Sequence, residues 1–538
     1  MHKDAAVVHY FTNSGEVRAA PAPLCYQVLD TQHPWVQSEH SRSIPYPHVR
    51  LGMVEEFAGK YLQNLRFGKT TLRVATVPLE TSLQNFQIPD YEFGNHCILS
   101  VRGTPGAQQT TLKEVGRARA ALLADRNVGF YKQRSLDRQY FFMPLSVCDS
   151  WGPRFMRDLR RYVDRLFPQR HSYNPKIIPY DDRRGRTFID QATALLKAAQ
   201  LTGGKDGFAV VMIHRPSNQR VRKHDQLAAM ATRKLRGIGI CAAIMHTEFG
   251  ESVYEQNVGA GELEYAPRND AHGALQGYLR AVAVNKVLLT SERWPFVLAT
   301  PLHADVVLGV DVKDHWAGFT VVAEGGRQIT TEPHESRQKE KLTTDQFREY
   351  MLAIMRRISK ESTRLIETVV VQRDGILFPC EREGAEEAME ILRREGNVSK
   401  NASLTCLEIP KESTATLRLF EKEHRSHGNP DVYNPIVGTY YLADGSNGYV
   451  CTTGWPFLRA GTAKPLYVRK ISGPLSLVDC LEDVFFLSSL PWTRPEDCAR
   501  DPITVKLNDR RLSEDADDFD PDELETALLS AGTAAPIS

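Results

Sequence analysis

The sequence predicts an α/β protein, and the prediction depends on two regions. Between about residues 175 and 295, apolar runs such as GFAVVMIH alternate with stretches of helical pattern such as FIDQATALLKAAQL. From about residue 301, the runs ADVVLGVDV and IETVVVQRDG are strand-like and flank an amphipathic stretch. Short Val- and Ile-rich strands that alternate with helices of about ten to fifteen residues indicate a layered fold on a largely parallel sheet.

Length and composition set the outer limits. The chain has 538 residues, of which 42% are apolar and 25% are charged. At roughly 100 to 200 residues per domain, this length allows three or so domains. No run of about 18 apolar residues could span a bilayer, and the N-terminus lacks the apolar core of a secretory signal. The nine cysteines form no CxxC pair, so we expect a cytoplasmic protein without a disulfide framework or a zinc site.

Positive and negative charges balance over the whole chain, but they are distributed unevenly along it. Eight acids and no Lys or Arg lie between Glu514 and Glu525, and without them the net charge of +1 becomes +9. Residues 132–186 hold thirteen Lys or Arg against six acids, beside aromatic residues such as Tyr140 and Phe141. Such a stretch either attracts a polyphosphate backbone or is an ordinary solvated helix face. We expect the acidic tail, residues 513–538, to be disordered.

The elements follow in chain order. Residues 1–110 include strand-like runs such as LRVATVPL (72–79), but their fold cannot be assigned. In 111–174, two stretches with helical spacing flank the strand-like YFFMPLSV, which indicates a connector. We expect residues 175–300 to form one α/β domain and residues 301–512 another.

Within the last domain, WAGFTVVA could pair with ADVVLGVDV as a hairpin. The apolar residues of the following stretch fall on one face of a helix. They are Phe347, Tyr350, Met351, Ile354, Met355 and Ile358.

Two carboxylates stand on the buried strands of this domain. Asp311 lies within the apolar run ADVVLGVDV, and Asp374 ends the run IETVVVQRDG. Either residue alone is more often a cap or a turn residue. Two ionised carboxylates on neighbouring buried strands repel each other unless a cation lies between them. The pair resembles the site of RNase H-like nucleases, in which carboxylates hold two Mg²⁺ ions for phosphodiester cleavage.

Several segments in one order resemble the PIWI domain of prokaryotic Argonautes. They are VVVQRDGILFPCE, NPIVGTYYLADGSNGYVCTTG, RAGTAKPLYVRK and PITVKLNDRRL. Upstream, LRGIGICAAIMHTEF and LQGYLRAVAVNKVLLTSERWPFVL resemble the MID domain. The resemblance covers about residues 175–512. It implies an RNase H-like PIWI domain, preceded by a Rossmann-like MID domain and a smaller α+β N-terminal region without a complete PAZ domain.

The resemblance also implies a catalytic tetrad. Asp311 matches its first acid and Asp374 its third. The second comes from a mobile loop, here HESRQKEKLTTDQF, in which Glu340 is the match and Glu335 the fallback. The fourth lies where a strand runs into a helix, and VKLNDRRL puts Asp509 there, with Asn508 as runner-up. The four acids would bind two divalent ions, Mg²⁺ or Mn²⁺.

The guide-binding positions match the family less well. Lys286 in AVNKVLL matches the second Lys of the family's pocket for the guide 5′ end, whereas Cys241, Ala229 and Asp225 stand where the family has Gln, Lys and Tyr. Two alternatives follow. Nearby basic residues rebuild the pocket, or the 5′ end is bound without a tight phosphate requirement, and we expect no large phosphate preference. The basic residues concerned are Arg222, Lys223 and Lys234, although Lys234 alone is typical of a surface charge near a helix C-terminus.

In GTAKPLYVRK, Thr462, Lys464 and Arg469 match positions at which the family's residues approach the guide backbone. An exposed hairpin without a ligand is the alternative for these three. Contacts to phosphates position a strand without reading its sequence.

The function that the resemblance implies is guide-dependent endonuclease activity in prokaryotic defence. A short single-stranded DNA or RNA guide would pair with a complementary target strand, which the acids would cut. The alternative is a catalytically silent, guide-loaded sensor that recruits an effector protein. A transposase-type nuclease is a third possibility, which the MID-like half disfavours. No membrane partner is expected.

Overall fold

The protein is described by a computed structural model. It covers residues 7–11, 17–21, 44–168, 171–182, 188–201, 203, 206–214, 226–259, 262–313, 316–338, 340–362, 364–410, 417–423, 431–458 and 461–512. The described residues form two compact units, one up to residue 77 together with 461 and 462, the other from residue 78 onward. The acidic tail lies outside the described residues. Within the described part, no helix is long and apolar enough to cross a membrane.

The first unit contains two hairpins and a helix. Its elements are β1 (Val7–Phe11), β2 (Val17–Pro21), α1 (Pro47–Phe57), β3 (Leu65–Phe67) and β4 (Thr70–Leu72). A π-helical turn, Ala58–Leu62, follows α1. The strand predicted for residues 72–79 is wrong beyond Leu72, because no strand among the described residues pairs with residues 73–79.

The second unit begins with short strands. They are β5 (Gln84–Asn85), β6 (Tyr91–Glu92), β7 (Ile98–Ser100) and β8 (Gln108–Gln109), followed by helix α2 (Val115–Ala124). Strands β6 to β8 form a small sheet that β15 (Val297–Leu298) completes.

A four-stranded parallel sheet comes next along the chain. Its strands and the elements around them are β9 (Gln139–Pro144), α3 (Leu145–Cys148), α4 (Gly152–Leu166), β10 (Lys176–Tyr180), α5 (Phe188–Leu201), β11 (Gly207–Ile213), α6 (Gln226–Arg236), β12 (Ile240–His246), α7 (Glu248–Val253), β13 (Tyr254–Gly259), β14 (Glu262–Pro267) and α8 (His272–Ala281). The strand order is β10-β9-β11-β12, and apolar cores cover both faces. The sheet therefore includes β9, which the sequence had placed in the connector.

Helix α4 lies in the basic stretch. It buries Phe155, Leu159 and Val163, and it turns Arg157 and Arg161 to solvent. The buried apolar face stabilises the helix by packing against the core. The arginines on the opposite face remain exposed to solvent.

The largest sheet has nine strands. The remaining elements of the unit are β16 (Val306–Lys313), β17 (Trp316–Ala323), β18 (Gln328–Glu335), α9 (Thr344–Glu361), β19 (Thr368–Asp374), α10 (Pro379–Glu395), β20 (Ser403–Ile409), β21 (Glu421–Glu423), β22 (Asp431–Tyr433), β23 (Thr439–Leu442), β24 (Asn447–Val450), β25 (Leu466–Ser472), α11 (Leu477–Ser488) and α12 (Ile503–Leu512). The strand order is β18-β17-β16-β19-β20-β25-β24-β23-β5. The strands β16, β17 and β18 are antiparallel neighbours, and β19 runs parallel to β16.

Apolar side chains cover both faces of this sheet. Helices α9 and α10 pack on one face, and α11 and α12 pack on the other. The amphipathic helix predicted from Phe347 to Ile358 is confirmed as α9, which begins with a capping box at Thr343. The predicted hairpin of β16 and β17 is also confirmed.

Candidate active site and nucleic-acid interface

Two aspartates meet at the carboxyl ends of neighbouring strands. Strands β16 and β19 are parallel, and Val310 lies opposite Arg373 in their register. The next residue of each strand is Asp311 or Asp374, so the two carboxylates come together at one sheet edge. Asp311 is only 8% exposed, which makes an uncompensated negative charge costly there.

Helix α12 brings a third aspartate to this edge. Asp311, Asp374 and Asp509 each offer a carboxylate oxygen within 4.8 Å of the others. The helix is held against the sheet by buried polar contacts. The Thr504 hydroxyl donates to the Gln372 side-chain carbonyl at 2.6 Å, and the Thr320 hydroxyl donates to Asn508 Oδ1 at 2.7 Å. We call the three aspartates the acid cluster.

Two glycines allow α12 to approach so closely. A Cβ on Gly309 would lie 2.6 Å from Thr504 Cβ, and a Cβ on Gly318 would lie 3.0 Å from Asn508 Oδ1. Both distances are shorter than carbon and oxygen atoms normally tolerate. The position of Asp509 therefore depends on the absence of side chains at these points of β16 and β17.

We expect Gly309→Ala to displace α12 and to weaken divalent-ion binding at the acid cluster. Overpacking of this kind lowers the free energy of unfolding by about 1–3 kcal/mol, which urea denaturation measures. A calorimetric titration measures the affinity of the acid cluster for Mn²⁺. Gly445→Ala is the matched control, because nothing lies within 4 Å of the added Cβ. Wild-type Mn²⁺ affinity in Gly309→Ala would contradict the packing argument.

Arg373 lies among these acids and offsets part of their charge. Its Nη1 is 3.7 Å from Asp311 Oδ1, and its Nε donates to Glu381 Oε2 at 3.2 Å. Both Arg373 and Glu381 are buried. One guanidinium is thus shared between Glu381 and Asp311. The three aspartates offer only oxygen ligands, the type that Mg²⁺ and Mn²⁺ prefer.

The structure places Glu340 differently from the three aspartates. Its side chain is exposed and is not part of the acid cluster. Its main-chain carbonyl, however, accepts a hydrogen bond of 2.9 Å from Arg373 Nη2. The fallback, Glu335, is exposed at the end of β18 and also lies outside the cluster. The loop with Glu340 is thus joined to the site through Arg373.

The local structure around Asp509 corrects the sequence prediction. Residues 503–512 are one helix, so the predicted junction of a strand and a helix is wrong. The β-branched residues of ITVKL favour a strand, but packing on Gly309 and Gly318 decides the conformation. The runner-up, Asn508, is fully buried and bonded to Thr320, away from the ligand position.

A cavity of about 220 Å³ lies between the parallel sheet and the largest sheet. Its lining includes Thr232, Arg236, Cys241, Thr290 and Arg510. The Arg510 Nη2 donates to Thr290 Oγ1 at 3.2 Å, and the Arg236 guanidinium lies 4.8 Å from the Trp316 ring centre. Glu292 also lines the cavity, so two cations and several hydroxyl groups stand beside one acid. The guanidinium and hydroxyl groups can donate hydrogen bonds to an anion. Sequence reasoning identified Cys241 but missed both arginines.

The predicted guide-binding residues are spread over the molecule. Lys234 is exposed on α6, and Lys286 is half-buried on the π-helical turn Val282–Leu288. Neither residue lines the cavity described above. Arg222, Lys223 and Asp225 lie outside the described residues.

The three residues of GTAKPLYVRK differ in their surroundings. Within the first unit, the Thr462 hydroxyl accepts from Arg50 Nε at 3.1 Å and donates to the Pro45 carbonyl. Lys464 is half-buried. The Arg469 side chain is 54% exposed, and its Nη1 is 3.5 Å from Glu408 Oε2.

The fold and the acid cluster together define an α/β protein with three aspartates gathered at one edge of its largest described sheet. No protein-family model matches the sequence, and no curated protein matches it either. Solved structures do match. Clostridium butyricum Argonaute, bound to a guide DNA (5′ deoxycytidine) and a 19-mer target DNA, superimposes with a TM-score of 0.63 at 13% identity, over 94% of this chain and 64% of that one. A. aeolicus Argonaute superimposes with a TM-score of 0.50 at 13% identity, over 87% of this chain and 57% of that one.

The chain has an Argonaute-like fold. The expected likeness to prokaryotic Argonautes is thereby confirmed at the level of the fold, and so is the α/β class. The chain spans less than two thirds of the length of either Argonaute.

Proposed function

We propose that the protein is a guide-dependent endonuclease that cuts a strand complementary to a short bound guide. The observation that carries the proposal is the convergence of Asp311, Asp374 and Asp509 at one edge of an RNase H-like sheet. Two divalent ions, Mg²⁺ or Mn²⁺, held by these residues and by Glu340, would supply an activated water and would stabilise the leaving oxygen. The products would carry a 3′-hydroxyl and a 5′-phosphate, and the role would be defence against invading nucleic acid.

The chain's own residues have separate tasks in this proposal. Arg373 orients Asp311 and holds the main chain at Glu340 close to the acid cluster. A movement of the loop would then bring the Glu340 carboxylate into the cluster. Helix α12 fixes Asp509. Lys464 and Arg469 contact guide phosphates, and pairing between guide and target supplies the sequence specificity.

The cavity beside Cys241 is the proposed site of the guide 5′ end. Its two arginines favour the first of the two alternatives, a rebuilt phosphate pocket, and argue against the weak phosphate preference expected from the sequence. The arginines that line the cavity are Arg236 and Arg510. The sequence had suggested Arg222, Lys223 and Lys234 for this role. A terminal phosphate would accept hydrogen bonds from these guanidinium groups and from the hydroxyls beside them.

We expect a 5′-phosphorylated guide to bind more tightly than the same guide with a 5′-hydroxyl, and Arg510→Ala to remove most of the difference. Hydrogen bonds to charged groups contribute about 1.5–3 kcal/mol, which corresponds to at least about tenfold in affinity. The measurement is a filter-binding titration with both guides. Arg494→Ala, at a half-buried arginine outside the cavity lining, serves as the control. Equal affinities for both guides in the wild type would support the second alternative, binding without a phosphate requirement.

The position of Glu340 favours one alternative function, a catalytically silent sensor that recruits an effector protein. With the Glu340 carboxylate outside the acid cluster, the ligand set has three acids instead of four. Sequencing the nucleic acids that co-purify, with their 5′-end chemistry, tests guide binding for both functions. Short fragments of uniform length support a bound guide, and an absence of nucleic acid after gentle purification speaks against both functions.

A further inference from the structure

The segment from Tyr46 to Val77 presents an exposed aromatic surface. We call this segment the arm. Its four aromatic side chains are all more than half exposed: Tyr46 52%, Phe57 55%, Tyr61 57% and Phe67 63%. Large aromatic side chains of soluble proteins are usually covered, and a concentration of exposed ones marks a surface that binds something.

The aromatic rings of the arm are already arranged in groups. Phe57, at the end of α1, and Tyr61, on the following π-helical turn, have ring centres 5.1 Å apart. The Lys60 ammonium lies 5.3 Å from the Tyr61 ring centre. At the start of the arm, Tyr46 stacks on His48 at 6.2 Å. Flat, exposed rings beside a cation are the elements of a stacking platform.

The arm carries five Lys or Arg and two acids, Glu55 and Glu56, and every charge after Phe57 is positive. Between Phe57 and Val77 there are four Lys or Arg and no Asp or Glu. The cations are Lys60, Arg66, Lys69 and Arg73, and all four are exposed. A stretch of 21 residues with only positive charges is complementary to a polyanion and unfavourable for a basic protein partner.

The hairpin of the arm separates its two kinds of side chain. Leu65 pairs with Leu72, and Phe67 pairs with Thr70, so these residues share one face. Arg66, which pairs with Thr71, lies on the opposite face. The hairpin therefore offers a ring for stacking on one side and positive charge on the other, and both faces are open to solvent apart from the half-buried Leu65.

We propose that the arm binds single-stranded nucleic acid, with bases stacked on Phe57, Tyr61 and Phe67 and with phosphates paired to Lys60, Arg66, Lys69 and Arg73. Such binding does not read sequence, because every base has a face that can stack. The proposal rests on the function proposed above only in taking nucleic acid as the ligand. The acid cluster and the arm are independent of each other in their residues.

The experiment uses the full chain, loaded with an unlabelled guide in EDTA, so that the guide site is filled and no strand is cut. Fluorescence anisotropy then measures the binding of labelled, non-complementary dT20 and rU20. One variant combines Phe57→Ala, Tyr61→Ala and Phe67→Ala, and a second combines Arg66→Ala, Lys69→Ala and Arg73→Ala. The control combines Val49→Ala and Met53→Ala, two exposed aliphatic residues of α1. Urea denaturation verifies that each variant stays folded.

We expect the aromatic variant to lose at least about tenfold in affinity for both strands. The charge variant should lower the slope of log Kd against log salt by about two, since each single-strand phosphate contact contributes about 0.7. The aliphatic control should bind like the wild type. Wild-type binding by both the aromatic and the charge variants would overturn the proposal.

Two other occupants would also overturn the proposal, and each has its own signature. The chain's acidic tail would be the occupant if residues 513–538, as a synthetic peptide, bind the arm while neither the aromatic nor the charge variant loses affinity for the strands. A second copy would be the occupant if light scattering finds a dimer that the aromatic variant abolishes. Guided cleavage in Mn²⁺ is measured on the same variants. The two proposals can fail separately. The arm variants should lose strand binding but keep guided cleavage, whereas Asp311→Asn should lose guided cleavage but keep strand binding.

Discussion

Asp374→Ala is expected to abolish the divalent-cation-dependent cleavage of a strand complementary to the guide. Asp374 supplies one of the three carboxylates of the acid cluster, and alanine leaves no oxygen in its place. Loss of several kcal/mol of charge stabilisation lowers the rate by at least about a thousandfold. Single-turnover cleavage of a labelled target measures the effect. Guide affinity should stay at the wild-type level, because the aspartate is proposed to hold metal ions and not guide phosphates.

Glu349→Ala is the matched control for this variant. Glu349 is an exposed acid on α9 in the same domain, so its removal changes the net charge equally without touching the acid cluster. Cleavage by Glu349→Ala should equal that of the wild type. Undiminished cleavage by Asp374→Ala would remove Asp374 from the catalytic assignment.

Glu381→Ala is expected to destabilise the protein strongly. The Glu381 carboxylate is fully buried and accepts from Arg373 and from the main-chain N–H groups of Leu342 and Phe378. Its loss leaves Arg373 with Asp311 as its remaining acidic neighbour, at 3.7 Å. Breaking a buried ion pair by removing one partner costs about 3–5 kcal/mol. Urea denaturation measures the change in the free energy of unfolding.

Two further variants serve as controls for this measurement. Glu390→Ala removes an exposed acid from the same helix and should change the free energy of unfolding little. Glu381→Gln keeps an acceptor oxygen for Leu342 or Phe378 but not the charge, and it should fall between Glu381→Ala and the wild type. A cost in Glu381→Ala no larger than that of Glu390→Ala would mean that Arg373 finds other compensation.

The two strand aspartates could be predicted from the sequence because their neighbours identify them. Asp311 and Asp374 interrupt or end runs of Val and Ile that can hardly be anything but buried strands. In an α/β fold such strands are parallel neighbours, and their carboxyl ends meet at one edge. Local pattern and fold class together therefore place these two residues, and the register of Val310 and Arg373 agrees with that placement.

The rest of the site depends on contacts that no local pattern contains. The family resemblance predicts Asp509 as a ligand, but it does not predict the helix that carries it. Ile503 and Val505 favour a strand, and the helix depends on the glycines against which α12 packs. The motif QRDG by itself gives Arg373 no role, since its partner Glu381 lies on another element. Cys241 was identified as a departure from the family, whereas Arg510 reaches the same cavity from 269 positions further along the chain.

The most direct test of the proposed function is a cleavage assay with a defined guide. The protein is loaded with a synthetic guide and is given a complementary or a scrambled labelled strand in Mg²⁺, Mn²⁺ or EDTA. We predict one product of fixed length with a 3′-hydroxyl, formed only from the complementary strand and only with a divalent ion. Tight guide binding with an uncut complementary strand in both Mg²⁺ and Mn²⁺ would contradict catalysis, and it would identify the protein as a guide-loaded sensor.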